Sequence, residues 1–287
     1  MRMFEGTAEN VRPLDQAWNL YNAGQKAAVR AEIERLINEG KLTEQHSEYR
    51  EWQRLYAACN YHEAQGYLNK LKSSPDSAEL QTKADQLQDA AYQAALAAGE
   101  LGEGWLLQIH CYLPKHRNRE RALELYAKVK QKDPAWAANS LISAARFFEG
   151  LMSREDVVRE TKENAQESVT QAHIAFNAGR YFWDLYEKSG DKQGEEAQQD
   201  LEYASRYFSN AIERYERLGG RINDPAAAHG WLSKVRFAQG RLPEAQDEAQ
   251  ISEDMFRQLL NKDPNSENWR QRWEEAKKWR EYLENKI

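Results

Sequence analysis

Val, Ile and Thr together occupy only 21 of the 287 positions, whereas Ala alone occupies 38. β-branched side chains suit the pleated surface of a sheet, while Ala is the strongest helix former. The chain is therefore expected to be all-α. Its mean hydropathy of −0.93 coexists with 41% hydrophobic and 11% aromatic residues. Disordered chains lack the aromatics, so the balance is one of solvated helix faces interleaved with buried stripes, thinly layered rather than gathered round one large core.

Punctuation places the helices. Pro is tolerated in a first turn, where its missing N–H would be unpaired anyway, and Pro13, Pro75, Pro134, Pro225, Pro243 and Pro264 stand where helices would begin. Ser74, Asp133, Asp224 and Asp263 precede four of them as capping types. Gly40, Gly150, Gly190, Gly219, Gly220 and Gly240 stand where helices would end. The pattern predicts helices over 12–22, 25–39, 43–58, 61–72, 76–98, 102–113, 117–131 and 134–149. Further helices are predicted over 153–189, with a break inside it, and over 194–218, 224–239, 242–262 and 265–286, for about 13 to 14 in all. Short turns between them make antiparallel hairpins the natural unit.

A register recurs among these hairpins. Ala122, Tyr126, Val129 and Pro134 spell a small residue, an aromatic four on, an apolar residue three further, then Pro. Val29, Ile33 and Leu36 repeat it, as do Ala64, Leu68 and Leu71, Ala204, Phe208 and Ala211, and Ala245, Ala249 and Ser252. Eight residues before three of the small positions stand Tyr21, Tyr56 and Phe237, and five before them stand Gly24, Cys59 and Gly240. The expected geometry is an aromatic of the first helix against the small residue of the second, with a Gly or small residue turning the corner.

In "ACNYHEAQGYLNKL", "NRERALELYAKVKQKDP", "FAQGRLPEAQDEA" and "EYASRYFSNAIERY" the chain resembles the tetratricopeptide repeat family. "FNAGRYFWDLY" supplies a first helix with Gly179 and Phe182 in the family's slots, and Ala178 where Leu is usual. The repeats are degenerate, their small residues recurring at uneven intervals, with helix 76–98 as an extra element. The resemblance implies hairpins stacked as an α-solenoid: N-terminal hairpins and the extra helix over 1–98, repeats over 99–263, and a capping helix over 264–287. It also implies a concave surface on which a partner peptide lies. Carried over slot by slot, that surface would hold Arg12, Asn19, Asn22, Arg50 and Arg54, then His173, Phe176, Arg180, Trp183 and Trp231. Arg50 and Arg54 share a helix face and are placed to grip a carboxylate. Asp15 stands where the family's carboxylate clamp has Lys, so capture of chaperone tails is not expected.

Catalytic patterns are missing from the sequence. His46, His62, His110, His116, His173 and His229 are scattered, with no metal-binding spacing, and "ELGEGW" at 100–105 reads as a turn, not a phosphate loop. Cys59 and Cys111 read as small buried hydrophobes. The expectation is a non-catalytic scaffold or adaptor, without metal or cofactor, recognising another protein or peptide. "MRMFEGTAENVRPL" lacks the apolar run of an export signal, and no stretch is apolar enough to span a membrane, so a cytoplasmic location is expected.

Two segments carry alternatives. "PKHRNRERALELYAKVKQKDP" has seven Lys or Arg against three acids. Lys130 and Lys132 suit a helix C-terminus, which leaves Lys115, Arg117, Arg119 and Arg121 as a possible polyanion contact. The formal net charge of −6 makes nucleic acid the less expected partner. In "NWRQRWEEAKKWREYLENKI", Trp269, Trp273, Ala276 and Leu283 form a stripe that would cap the array or, through the two tryptophans, join two copies.

Overall fold

The computed structural model describes residues 12–164, 168–218 and 223–286. The segment before Arg12, read above for an export signal, and the glycine pair at 219–220 lie outside the described residues. Among the described residues there are thirteen α-helices and no strand. The chain divides into two units, Met1–Lys132 and Asp133–Ile287.

The first unit holds α1 (Pro13–Asn22), α2 (Lys26–Asn38), α3 (Tyr49–Ser73), α4 (Ala78–Ala97), α5 (Glu103–Tyr112) and α6 (Arg119–Lys132). Gly24 turns the corner between α1 and α2 at φ 86°, a conformation only Gly adopts without strain. Leu14, Ala17, Val29, Ile33, Trp52 and Leu55 then close a core between the first three helices. α3 packs along α4, and both helices bury alanines, Ala57, Ala58 and Ala64 on the one and Ala84, Ala91 and Ala95 on the other.

One expected corner is absent. The helices anticipated over 43–58 and 61–72 are a single helix, α3, and Cys59 sits fully buried in its middle. No Pro or left-handed Gly interrupts the run, Gly66 lying within it as an ordinary helical residue, and the Asn60 amide donates back to the Tyr56 carbonyl at 2.9 Å, within the helix. A small residue alone does not turn a chain; a left-handed glycine does, as Gly240 at φ 75° shows in the same slot of the second unit.

That unit holds α7 (Pro134–Ala145), α8 (Arg154–Glu163), α9 (Val169–Lys188), α10 (Glu195–Leu218), α11 (Asn223–Ala238), α12 (Leu242–Lys262) and α13 (Glu267–Glu284). The break inside 153–189 falls between α8 and α9, with Ser168 capping α9. α9 pairs with α10 and α11 with α12, while α13 lies on α12. Phe208 crosses α9 at Gly179, where an added Cβ would stand 2.9 Å from its ring. The recurrent small positions Val29, Ala64, Ala122, Ala204 and Ala245 are all buried.

Two prolines do not open helices. Pro75 and Pro264 each sit in a turn, closed by Ser77 N–H donating to the Ser74 carbonyl (3.2 Å) and Ser266 N–H to that of Asp263 (3.1 Å). The caps are Ser77 and Ser266, whose hydroxyls accept from the Leu80 and Trp269 amides. Asp224 and Pro225 lie inside the first turn of α11, not before it. In α13, Leu283 and Trp279 make the core contact with Ala245 and Ala249. Trp269 and Trp273 are half-buried.

Candidate functional site

Three helices of the second unit carry stripes with the same spacing. Phe176, Arg180 and Trp183 on α9, Ala227, Trp231 and Lys234 on α11, and Arg272, Ala276 and Trp279 on α13 each fall four then three apart, so each set shares one helix face. All but exposed Arg272 are half-buried. Packing fixes the α9 face: Gly179 and Phe182 are spent against α10, which turns Arg180 and Trp183 the other way.

The result is an aromatic groove. Trp183 stands 6.3 Å from Trp231, which stacks on Phe208 at 6.5 Å and 16°. Phe237 meets Trp279 and Tyr282 edge-on at 5.6 and 5.9 Å. Two cavities meet at Trp231, Lys234 and Trp279. One of about 560 Å³ runs toward Trp183, Tyr186 and Phe237. The other, of about 450 Å³, runs toward Gly230, Ser252, Phe256, Arg272 and Tyr282.

Charge in the groove is unbalanced. The Arg180 guanidinium lies 3.6 Å from the centroid of Trp231 and the Lys234 ammonium 4.2 Å from the same ring, contacts in which the ring face attracts a cation. Among the described residues neither makes an ion pair, and the Arg180 Nε is buried without a hydrogen-bond partner. Asp184, whose charge acts on Arg180, is bound to Arg146 at 2.8 Å. Burial, then the like charge of Arg146, push the Arg180 guanidinium down to about 10 against the pull of Asp184. Burial and then Arg180 push the Lys234 ammonium below its usual range, against Glu275 and Glu187. The like charge of Arg180 thus raises the cost of holding the Lys234 ammonium in the groove.

The remaining expected site residues are placed differently. His173, higher on α9, has Nδ1 2.7 Å from the Tyr215 hydroxyl. In the first unit Asn19 and Asn22 are exposed on α1. Arg12 is neutralised by Asp15 (3.0 Å) and Glu48 (2.9 Å). Arg54 pairs with Glu51 at 3.5 Å and covers Trp18, while Arg50 lines an open cavity with Glu44 and Glu51. In that cavity the single Arg faces two acids, so no excess of positive charge is left there.

The basic turn is tied to α4. Lys115 pairs with Asp89 and its amide donates to Gln88 at 3.0 Å, and His116 Nε2 lies 3.0 Å from Asp89 with its ring stacked on Tyr92. The bond from Lys115 holds the Asp89 carboxyl below the usual range. Arg121 is bound to Glu124, and Arg117 and Arg119 have contacts of their own. No group of three His, Cys, Asp or Glu among the described residues is gathered to hold a metal ion, and no described helix is long and apolar enough to cross a membrane. Cys59 and Cys111 are free and buried, burial pushing both thiols up to about 12.

Sequence reasoning missed Lys234 and Trp279. Lys234 follows Trp231 by three and so shares its face, a signal that was legible; Trp279 was hidden behind the Trp269 and Trp273 stripe, although it precedes Leu283 by four. No family model matches the chain, and no curated protein matches it.

Proposed function

We propose that this chain is a non-catalytic adaptor of the tetratricopeptide type, acting in the cytoplasm, whose hairpins present a concave surface to a partner protein or peptide. The observation that carries the reading is the pair Arg180 and Lys234, half-buried over Trp231 with no ion pair to either among the described residues, Asp184, Glu187 and Glu275 acting on them only through space. Such a pair costs stability, since burying a charge without a partner is unfavourable. A fold selected for stability alone would cover or neutralise it; a binding surface keeps it open for the partner. The polyanion reading of 115–121 has less support, because Lys115 and Arg121 are engaged with acids of the first unit.

The test is affinity capture with the full chain and with the charge-reversed variant Arg180→Glu/Lys234→Glu. The variant is expected to lose the partners that the parent retains. Retention of every partner by a variant with unchanged helicity would falsify the assignment to this groove. Loss on reversing Lys115, Arg117, Arg119 and Arg121 instead would move the interface to the basic turn.

A further inference from the structure

Resting on that reading, we infer that the groove takes a peptide segment in which an internal Asp or Glu adjoins a bulky apolar residue. The carboxylate docks on Arg180 and Lys234, and the apolar side chain enters the cavity of about 450 Å³ beside Trp279.

Charge, stacking and cavity lining together define this ligand. A carboxylate placed between Arg180 and Lys234 would relieve their mutual repulsion and gain charge-assisted hydrogen bonds in a partly dry site. The acids that face the groove, Glu187 and Glu275, pair with neither cation. A cationic ligand is disfavoured because the Trp231 ring already carries two cations, and a nucleotide base is disfavoured because Arg180, Lys234 and the stacked Phe208 leave the ring little free surface.

The cavity floor asks for an apolar group. Its small residues, Gly230, Ala249 and Ala276, leave room between the charged lining of Lys234, Arg272, Glu275 and Lys278, and the polar atoms of Ser252 and Trp279 are already satisfied. The Ser252 hydroxyl donates to the Ala226 carbonyl at 2.8 Å, and the Trp279 indole donates to the Ser233 hydroxyl at 2.8 Å. A polar side chain set against Ser252 and Trp279 would find both already engaged, and an unpaired buried polar group is costly. The residue is internal to its chain because Lys234 lies where the two cavities meet, so a bound segment continues to either side.

The experiment is selection of random peptides of about 12 residues against the full chain, followed by titration of a synthesised, C-terminally amidated representative. Enriched peptides are expected to pair Asp or Glu with Phe, Trp, Leu or Met. Changing that acid to its amide should weaken binding about tenfold, as should Arg180→Gln/Lys234→Gln. Ala227→Leu, which adds bulk to the cavity lining and changes neither cation, should weaken it similarly. The acid-to-amide change in the peptide keeps the test intact even where a protein variant folds poorly. Peptides that lose binding with Ala227→Leu but carry no required acid would overturn the carboxylate assignment and leave the groove as a binding surface. Enriched peptides indifferent to all groove variants, or no enrichment at all, would overturn both. Displacement of the peptide by AMP at lower concentration would replace the peptide with a nucleotide.

Discussion

His62 sits half-buried on α3 among the rings of Tyr21, Tyr61 and Trp105, with centroids 6.0, 5.3 and 5.8 Å away. Burial, and then the charge of Lys26, push its imidazole from 6.5 down to about 4. The folded chain thus refuses a proton that the unfolded chain takes up near 6.5, so stability is present above that pH and is lost as pH falls toward about 4. Chemical denaturation across this window should show a midpoint that falls with pH, and His62→Gln should flatten the dependence; an unchanged slope would dismiss His62 as its source. Gly179 makes a second test. Gly179→Ala places a methyl 2.9 Å from the Phe208 ring, and overpacking of this kind costs about 1–3 kcal/mol. Thermal melting should register the loss, and the Trp231 indole resonance should shift because Trp231 stacks on Phe208. An unmoved melting temperature would mean that α10 slides freely.

At the scale of the element, the two Pro-containing turns before α4 and α13 work alike. Ser74-Pro75-Asp76-Ser77 and Asp263-Pro264-Asn265-Ser266 each close a turn and deliver a Ser to the cap. Ser77→Ala and Ser266→Ala should each cost about 1 kcal/mol, read as a shift in denaturation midpoint, whereas Asp76→Ala should cost less. Equal effects at all three positions would show that the turn, not the cap, is what matters. These turns also mark where the sequence misled: the first capping type before Pro was legible, the better cap two residues after it was not, because a helix and a β-turn both accept Pro early. The all-helical class followed from composition, and the buried small positions from the recurring stripe. The unbroken α3 did not, since Cys59 is small enough for a corner and equally suited to a helix interior. At the groove, Arg180, Trp183 and Trp231 were within reach of slot-by-slot comparison, while Trp279 depended on how α13 seats against Ser233, a contact 46 residues apart in the chain.

For the whole molecule, the two units should respond to acid at different points. In the second, burial raises the Glu253 carboxyl, but bonds from Arg280 and Arg257 outweigh it and hold the group below its ordinary value of 4.5. That tie between α12 and α13 is present above 4.5 and is lost only as pH falls through the lowered value. The first unit, weakened by His62 from about 6.5 downward, should open earlier. Hydrogen exchange with peptide resolution at successively lower pH is expected to show protection failing in α1–α3 before α12–α13, and the reverse order would refute the ranking. The packing has a further consequence during synthesis. Within each unit every described helix packs on a helix one or two places along the chain, and even wide pairings such as Tyr61–Gln108 and Ser233–Trp279 span 47 and 46 residues. Chains of this kind close only short loops and fold fast. With translation adding about 5–20 residues each second, every hairpin is complete on the ribosome within seconds of its second helix emerging. The growing chain should therefore leave little apolar surface for aggregation at any moment, and should need little help from chaperones to reach the state described above.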